Sequence, residues 1–138
     1  MYSSFENLDV WKRSCQLSVR IYNLIKDSKE YSLKDQIFRS SISIPSNIAE
    51  GAERDSKKEV IRFLHISKGS AAELRTQIFI ACRLKLINEN DAMEIVNELK
   101  AISKMLHSLI NLFPPQNLTL KTYHLKHLGR LQWIMLHS

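Results

Sequence analysis

The amino-acid sequence predicts an all-α protein that folds as an up-and-down antiparallel bundle of four helices. Apolar residues recur at intervals of three and four in four separate segments, which is the period of an amphipathic helix. The breaks between these segments are short and polar, so we expect successive helices to be neighbours. The 138 residues include only three glycines and three prolines, and 44% of them are apolar. This composition is typical of a single helical domain with its own core.

The first helix is predicted from about Asn7 to Asp27, where the apolar residues fall on two adjoining rows. One row consists of Leu8, Trp11, Cys15, Tyr22 and Ile25, and the other of Val10, Leu17, Ile21 and Leu24. So broad an apolar arc needs neighbours on more than one side. A polar break at residues 27–30 then separates this helix from the next.

The second helix is predicted to start at Ser32, whose hydroxyl can cap the first turn, and to reach about Glu50. Its polar residues form one narrow stripe, made of Gln36, Arg39, Ser40, Ser43, Asn47 and Glu50. Two apolar rows cover the rest, one of Leu33, Ile37, Ile44 and Ile48 and the other of Phe38, Ile42 and Ala49. The first two helices therefore carry more apolar surface than one bundle needs, which predicts self-association.

Pro45 complicates the second helix, because it lacks the amide that would bond the carbonyl of Ser41. We expect a kink near this proline and prefer one bent helix to two separate ones. We expect the hydroxyl groups of Ser41, Ser43 and Ser46 to satisfy the backbone groups that the proline leaves without partners. Gly51 is expected to terminate the helix just past its end.

The third helix begins at a capping box formed by Ser56 and Glu59, and it is predicted to extend to about Leu86. The small residues 69–72 lie within this helix. Gly69 costs about 1 kcal/mol relative to alanine in a helix interior, so its presence there predicts the close approach of another backbone.

The fourth helix is predicted to begin after Asn88, which can cap the amide of Asp91, and to continue to Phe113 before two prolines. We therefore divide the chain into a four-helix bundle domain at residues 1–113 and a C-terminal tail at residues 114–138. The tail has three Lys or Arg and no Asp or Glu. Its charge of +3 is half of the formal net charge of +6. Two interpretations of the tail remain open: a short basic amphipathic helix, or a segment that docks on a neighbour.

The sequence contains no motif typical of catalysis, and we predict no catalytic residue, cofactor or metal site. Cys15 and Cys82 lie in apolar helical patterns without a CxxC spacing, so we interpret them as buried free thiols. His124 and His127 are three residues apart but lack a carboxylate or thiolate companion. The chain shows no segment of signal-peptide or bilayer-spanning character, so we expect a cytoplasmic location and no membrane partner.

Two polar groups are expected to have structural roles. Arg39 and Glu73 are predicted to form an ion pair between the second and third helices, because an unpaired buried charge is costly. The alternative is that both side chains are independently solvated. Asn47 is expected to bond nearby backbone, and Glu50 to pair with a neighbour or order the turn at Gly51.

Two sets of basic residues are candidates for nucleic-acid binding. The first helix contributes Lys12, Arg13 and Arg20, and the third contributes Lys58, Arg62, His65, Lys68, Arg75 and Arg83. Repeated around a ring, either set would form a belt of positive potential that contacts phosphates. The alternative interpretation is an ordinary solvated helix face.

Three segments, FENLDVWKRSCQLSVRIY, QIFRSSISIPSNIAEGAER and FLHISKGSAAELRTQIFIA, resemble the four-helix bundle proteins encoded by intervening sequences in bacterial 23S rRNA genes. The resemblance covers about residues 5–113. Its signature includes Arg39, Ser43, Asn47, Glu50, Gly51, Gly69, Ser70 and Glu73. The accessory proteins of diversity-generating retroelements have a similar architecture, but this sequence is closer to the first group.

The resemblance implies an antiparallel bundle that assembles into a ring, specifically a homopentamer, without enzymatic activity. It also implies an association with RNA, on the strength of genomic setting rather than a binding motif. The leading hypothesis is therefore a non-enzymatic oligomeric bundle that associates with RNA or a ribonucleoprotein through its basic surfaces. The alternative is a structural scaffold for protein partners with no nucleic-acid role.

Overall fold

The computed structural model describes residues 4–113, which form four α-helices and no strand. The helices are α1 (Asp9–Ile25), α2 (Tyr31–Ala52), α3 (Lys57–Arg83) and α4 (Glu89–Asn111), and a 3-10 helix at Phe5–Asn7 precedes them. The predicted all-α class with four helices is confirmed. The tail at residues 114–138 lies outside the described residues, so the domain boundary stays a prediction.

Helices that follow each other in the chain pack side by side, whereas α1 and α4 share a smaller interface than any two consecutive helices. At the α2–α3 interface, Ser40 contacts Gln77 whereas Ser43 contacts Ser70, so the two helices run in opposite directions. This is the pattern of contacts expected of an up-and-down bundle.

The core lies on the bundle axis and receives side chains from all four helices. The largest fully buried side chains are Ile21, Ile37, Ile44, Ile48, Leu64, Leu74, Ile78, Ile95, Leu99, Ile102 and Leu106. Each such side chain stabilises the fold by about 1.5–3 kcal/mol relative to an exposed position. The two apolar rows of α1 are not fully covered, since Tyr22 of one row is 48% and Leu24 of the other 37% exposed.

Helix α2 is continuous through Pro45, as expected for one helix rather than two. The hydroxyl of Ser18, on α1, donates a hydrogen bond of 3.0 Å to the carbonyl oxygen of Ser41. This is the carbonyl that Pro45 leaves without an amide donor. The hydroxyl of Ser41 instead donates to the carbonyl of Phe38. The expectation that serines within α2 would satisfy this carbonyl was therefore wrong, and the kink itself stays a prediction.

The helix ends agree with two of the predicted caps. The side chain of Ser56 accepts a hydrogen bond from the amide of Glu59, and that of Asn88 accepts one from the amide of Asp91. The predicted Ser32 cap was wrong, because α2 already begins at Tyr31 and no side chain caps it.

The roles predicted for two glycines are not found within the subunit. Gly51 does not terminate α2, since the helix includes this residue and Ala52 after it. A Cβ atom at Gly51 would lie 2.9 Å from the Cβ of Phe63, so glycine is needed for the approach of α2 to α3. At Gly69, in contrast, an added Cβ would meet no atom within 4 Å. No second backbone within residues 4–113 packs closely against it.

Candidate nucleic-acid interface

Helix α4 carries acidic residues on the side that faces α1. Two guanidinium nitrogens of Arg13, Nε and Nη2, each donate a hydrogen bond of 2.7 Å to the Glu98 carboxylate. These hydrogen bonds lower the pKa of the Glu98 carboxyl and raise that of the Arg13 guanidinium. The two-point geometry makes this the best-formed ion pair between α1 and α4.

A second ion-pair cluster lies two turns farther along α1. The Nη2 atom of Arg20 lies 3.2 Å from the Asp91 carboxylate and also pairs with Glu94. An open groove of about 640 Å³ runs between α1 and α4, and both clusters line it. The acidic residues of α4 therefore neutralise arginines of α1.

These pairs change the interpretation of the basic set predicted on α1. Arg13 and Arg20 were candidates for nucleic-acid binding, but their charges are compensated by carboxylates within the bundle. Lys12 is exposed and forms no ion pair within residues 4–113. The α1 set thus supplies one uncompensated charge instead of three. Sequence periodicity could not show this, because it does not identify which helix faces which.

The opposite side of α4, which faces α3, is cationic. Lys68 of α3 places its Nζ atom 3.3 Å from the Nδ1 atom of His107 of α4. Lys100 precedes His107 by seven residues, so the two share one side of α4. Arg75 follows Lys68 by seven residues, so these two share one side of α3. Lys104 lies one turn before His107. We call these five residues the α3–α4 cationic face.

The sequence segments that form the half of this face around Lys68 and His107 contain no acidic residues. Residues 60–72 of α3 and residues 99–113 at the end of α4 contain no Asp or Glu. The next acid along α3, Glu73, accepts a hydrogen bond from Gln77, which bonds Ser40 of α2. Glu73 therefore belongs to the α2 side of α3. Among residues 4–113, none of the five residues of the α3–α4 cationic face forms an ion pair with a carboxylate.

The remaining basic residues predicted on α3 differ in their surroundings. Lys58 and Arg83 are exposed and form no ion pair among the described residues, and His65 is exposed on the same outer side. Arg62, in contrast, lies 3.2 Å from the Glu59 carboxylate and over the ring of Phe63.

Lys100, Lys104 and His107 were missed by sequence reasoning because α4 was interpreted mainly as a core helix. Its run of residues without acids after Glu98 is the signal that could have identified them.

The signature residues of α2 and α3 form a polar seam. The hydroxyl oxygens of Ser43 and Ser70 lie 2.8 Å apart, and the side-chain Nδ2 of Asn47 donates a hydrogen bond of 2.7 Å to the Ser43 carbonyl. Asn47 thus bonds nearby backbone, as expected, and Glu50 pairs with Arg54 one turn on. Of these contacts, the one between Ser43 and Ser70 holds α2 against α3, whereas those of Asn47 and Glu50 are made with residues one turn away.

The predicted pair between Arg39 and Glu73 is not formed. Arg39 lies 3.1 Å from Asp35 on its own helix, and Glu73 accepts from Gln77. Both charges are exposed, and the Arg39 side chain keeps 79% of its accessible surface. Since water solvates them, neither charge needs a partner across the interface.

The described residues give no positive indication of a metal or redox site. Residues 4–113 contain no group of three or more His, Cys, Asp or Glu placed to hold a metal ion. Cys15 and Cys82 are free and half-buried rather than fully buried, and burial raises the pKa of the Cys15 thiol. None of the described helices combines the length and apolar character that a bilayer span requires.

Comparisons with known proteins agree with this architecture. No curated protein matches the chain. A crystal structure of a protein with unknown function from the S23 ribosomal protein family of Bacteroides thetaiotaomicron VPI-5482 is similar to it, with 31% sequence identity and a TM-score of 0.69. The similarity covers 73% of this chain and 97% of that one. The family described as 23S rRNA-intervening sequence protein matches residues 6–108. This chain belongs to the 23S rRNA-intervening sequence protein family.

Proposed function

We propose that this protein is a non-enzymatic, oligomeric helical bundle that associates with RNA through its α3–α4 cationic face. The observation that carries the proposal is the separation of charge on α4. Acidic residues on one side of α4 are compensated by arginines of α1, whereas basic residues on the other side adjoin basic residues of α3. A polyanion is the ligand that such a face would attract most strongly.

The geometry of the face suits a phosphate backbone rather than a single phosphate. Lys68 and Arg75 are separated by two helical turns, or about 10 Å along the axis. Lys100 and His107 repeat that spacing on α4. Lysines and arginines spread along two parallel rows can contact successive phosphates without reading their sequence. Binding by this face is therefore expected to depend steeply on salt.

Family membership favours RNA among polyanions. The matched family is described by its relation to 23S rRNA, and the similar crystal structure comes from a family described as ribosomal. An RNA partner also fits a cytoplasmic location, which is part of the proposal.

Self-association is the second part of the proposal, and exposed apolar side chains support it. They lie in two regions, one on α1 and α2 with Val19, Tyr22, Tyr31 and Ile42, and one on α3 with Ile66, Ile80 and Leu84. A ring needs two different complementary surfaces on each subunit, because each copy contacts its two neighbours differently. Two apolar regions on one subunit meet that requirement. Five subunits is the number that the family resemblance implies.

A ring would also strengthen the proposed RNA binding. The net charge of one chain is only +6. Repetition of the α3–α4 cationic face around a ring would present several such faces to one RNA molecule, which raises the overall affinity without any new type of contact.

RNA titration of the purified protein at two salt concentrations tests the proposal. We expect binding at about 50 mM salt that weakens by orders of magnitude at about 200 mM. Light scattering of the same sample without RNA should give a mass several times that of one chain. Absence of binding at about 50 mM salt, with an intact oligomer, would favour the scaffold function instead, and the two apolar regions would then be its main feature.

A further inference from the structure

An exposed aromatic side chain lies on the α3–α4 cationic face. Phe79 is 47% exposed. It follows Arg75 by four residues and Lys68 by eleven, so the three side chains share one side of α3. Lys68 contacts His107, which shows that this side faces α4. Phe79 therefore continues the row of cationic residues beyond Arg75, toward the C-terminal end of α3.

The fold itself does not account for Phe79. Its ring belongs to neither of the two aromatic pairs found among residues 4–113, and about half of its surface is open to solvent. Its neighbour in sequence, Ile80, is similarly exposed at 45% but lies on the side of α3 that faces α2. Phe79 thus combines a free aromatic face with adjacent, uncompensated cations.

We propose that the α3–α4 cationic face binds single-stranded RNA, with Phe79 stacking on an unpaired base while Lys68, Arg75 and Lys100 contact the flanking phosphates. This inference rests on the proposed function and specifies the class of RNA. Proteins that bind single strands without sequence preference combine cations along the backbone with aromatic rings under the bases. A duplex keeps its bases stacked inside, so it offers phosphates to the lysines but no base to Phe79.

The test compares two RNA probes on the full-length protein. One probe is a fluorescein-labelled single strand of about 16 nucleotides, the upper end of the usual site size. The other is a blunt duplex of the same sequence. Phe79→Ala should weaken single-strand binding roughly tenfold and leave duplex binding unchanged, because stacking contributes only to the former. Phe79→Tyr should keep the affinity of the original protein, since a tyrosine ring stacks equally well.

Leu112→Ala is the matched control, because it removes an exposed apolar side chain (38%) that lies in neither of the two apolar regions and outside the cationic face. It should leave the affinity for both probes unchanged. The mass of each variant should be measured by light scattering, so that a loss of assembly is recognised.

Unchanged single-strand binding by Phe79→Ala would overturn the stacking role. So would an equal loss on both probes, or a loss accompanied by dissociation of the oligomer, which would make Phe79 a subunit contact. In all three cases the proposed function would stand as long as Lys100→Glu weakens RNA binding. If Lys100→Glu has no effect either, the proposed function fails with the inference.

Discussion

The hydroxyl of Ser18 on α1 and the carbonyl of Ser41 on α2 are joined by a buried hydrogen bond of 3.0 Å. The hydroxyl also lies 3.1 Å from the carbonyl of Ser14, its ordinary partner within α1. The Ser41 carbonyl is the one that lacks its helical amide, because Pro45 occupies that position. A side chain of the neighbouring helix α1 thus replaces the hydrogen bond that the proline removes from α2.

Ser18→Ala should lower the free energy of unfolding by about 1–3 kcal/mol, since it leaves a buried carbonyl without a donor. In a Pro45→Ala background the amide of residue 45 can bond this carbonyl, so the same substitution should cost much less. Urea denaturation of the two single variants and the double variant measures the coupling. Equal costs in both backgrounds would contradict the compensation.

Gly51→Ala should destabilise the bundle by about 1–3 kcal/mol, because an added Cβ would overlap the Cβ of Phe63. Gly69→Ala is the matched control within a helix. Its Cβ meets no atom of the described chain, so the better helix propensity of alanine should stabilise a subunit by about 0.5–1 kcal/mol. Thermal unfolding of the two variants gives both values. If Gly51→Ala leaves the stability unchanged, α2 and α3 can move apart far enough to accept the added Cβ without cost.

The pH dependence of stability should include a contribution from Glu98. Arg13 holds the pKa of this carboxyl below its ordinary value of 4.5, mainly through their hydrogen bond. A carboxyl whose pKa is lower in the folded state stabilises the fold above that ordinary value and loses the contribution as the pH falls through the folded-state pKa.

Glu98→Gln should therefore make the bundle less stable at pH 7, by less than about 1 kcal/mol because the pair is partly exposed. The difference from the original protein should shrink as the pH falls below 4.5. Urea midpoints measured from neutral pH to pH 3 check this. A difference that stays constant over the whole range would show that Glu98 acts through packing alone.

RNA affinity should respond differently to charge changes on the two sides of α4. Lys100→Glu together with Lys104→Glu should weaken binding strongly and reduce the salt slope by about one unit for each phosphate that the protein no longer neutralises. Arg20→Gln removes a charge that carboxylates already compensate, so it should change RNA affinity little. Titrations at several salt concentrations, with mass measured in parallel, compare the variants. Equal reductions in affinity would place Arg20 in the interface after all.

Assembly should depend on both apolar regions. Tyr22→Asp and Ile80→Asp each place a charge in one region, and either should reduce the mass measured by light scattering, because a buried unpaired charge is costly. Both side chains are about half exposed in the subunit, at 48% and 45%, so each variant should keep its helical circular dichroism. A full-size oligomer in both cases would mean that the subunits associate elsewhere.

Sequence periodicity was sufficient for the four helices and for most core positions, because burial repeats at the helical period. It could not assign side chains to helix–helix interfaces. Arg13 and Glu98 are 85 residues apart, and the pattern gives no indication that they meet. Arg39 and Glu73 were expected to pair because they lie on facing helices, yet both reach water. Gly51 looked like a helix terminator, and only the position of Phe63 shows why it is glycine.

The small interface between α1 and α4 determines where the bundle is easiest to open. Its two ion-pair clusters line an open groove, so ionic strength weakens them more than it weakens the apolar contacts elsewhere. Since the α1–α2 interface is also smaller than the α3–α4 interface, we expect α1 to separate first, while α2 and α3 stay together. Amide protons of α1 should exchange with solvent sooner than those of α3, and the Ser41 carbonyl should lose its hydrogen bond from Ser18 in the same event.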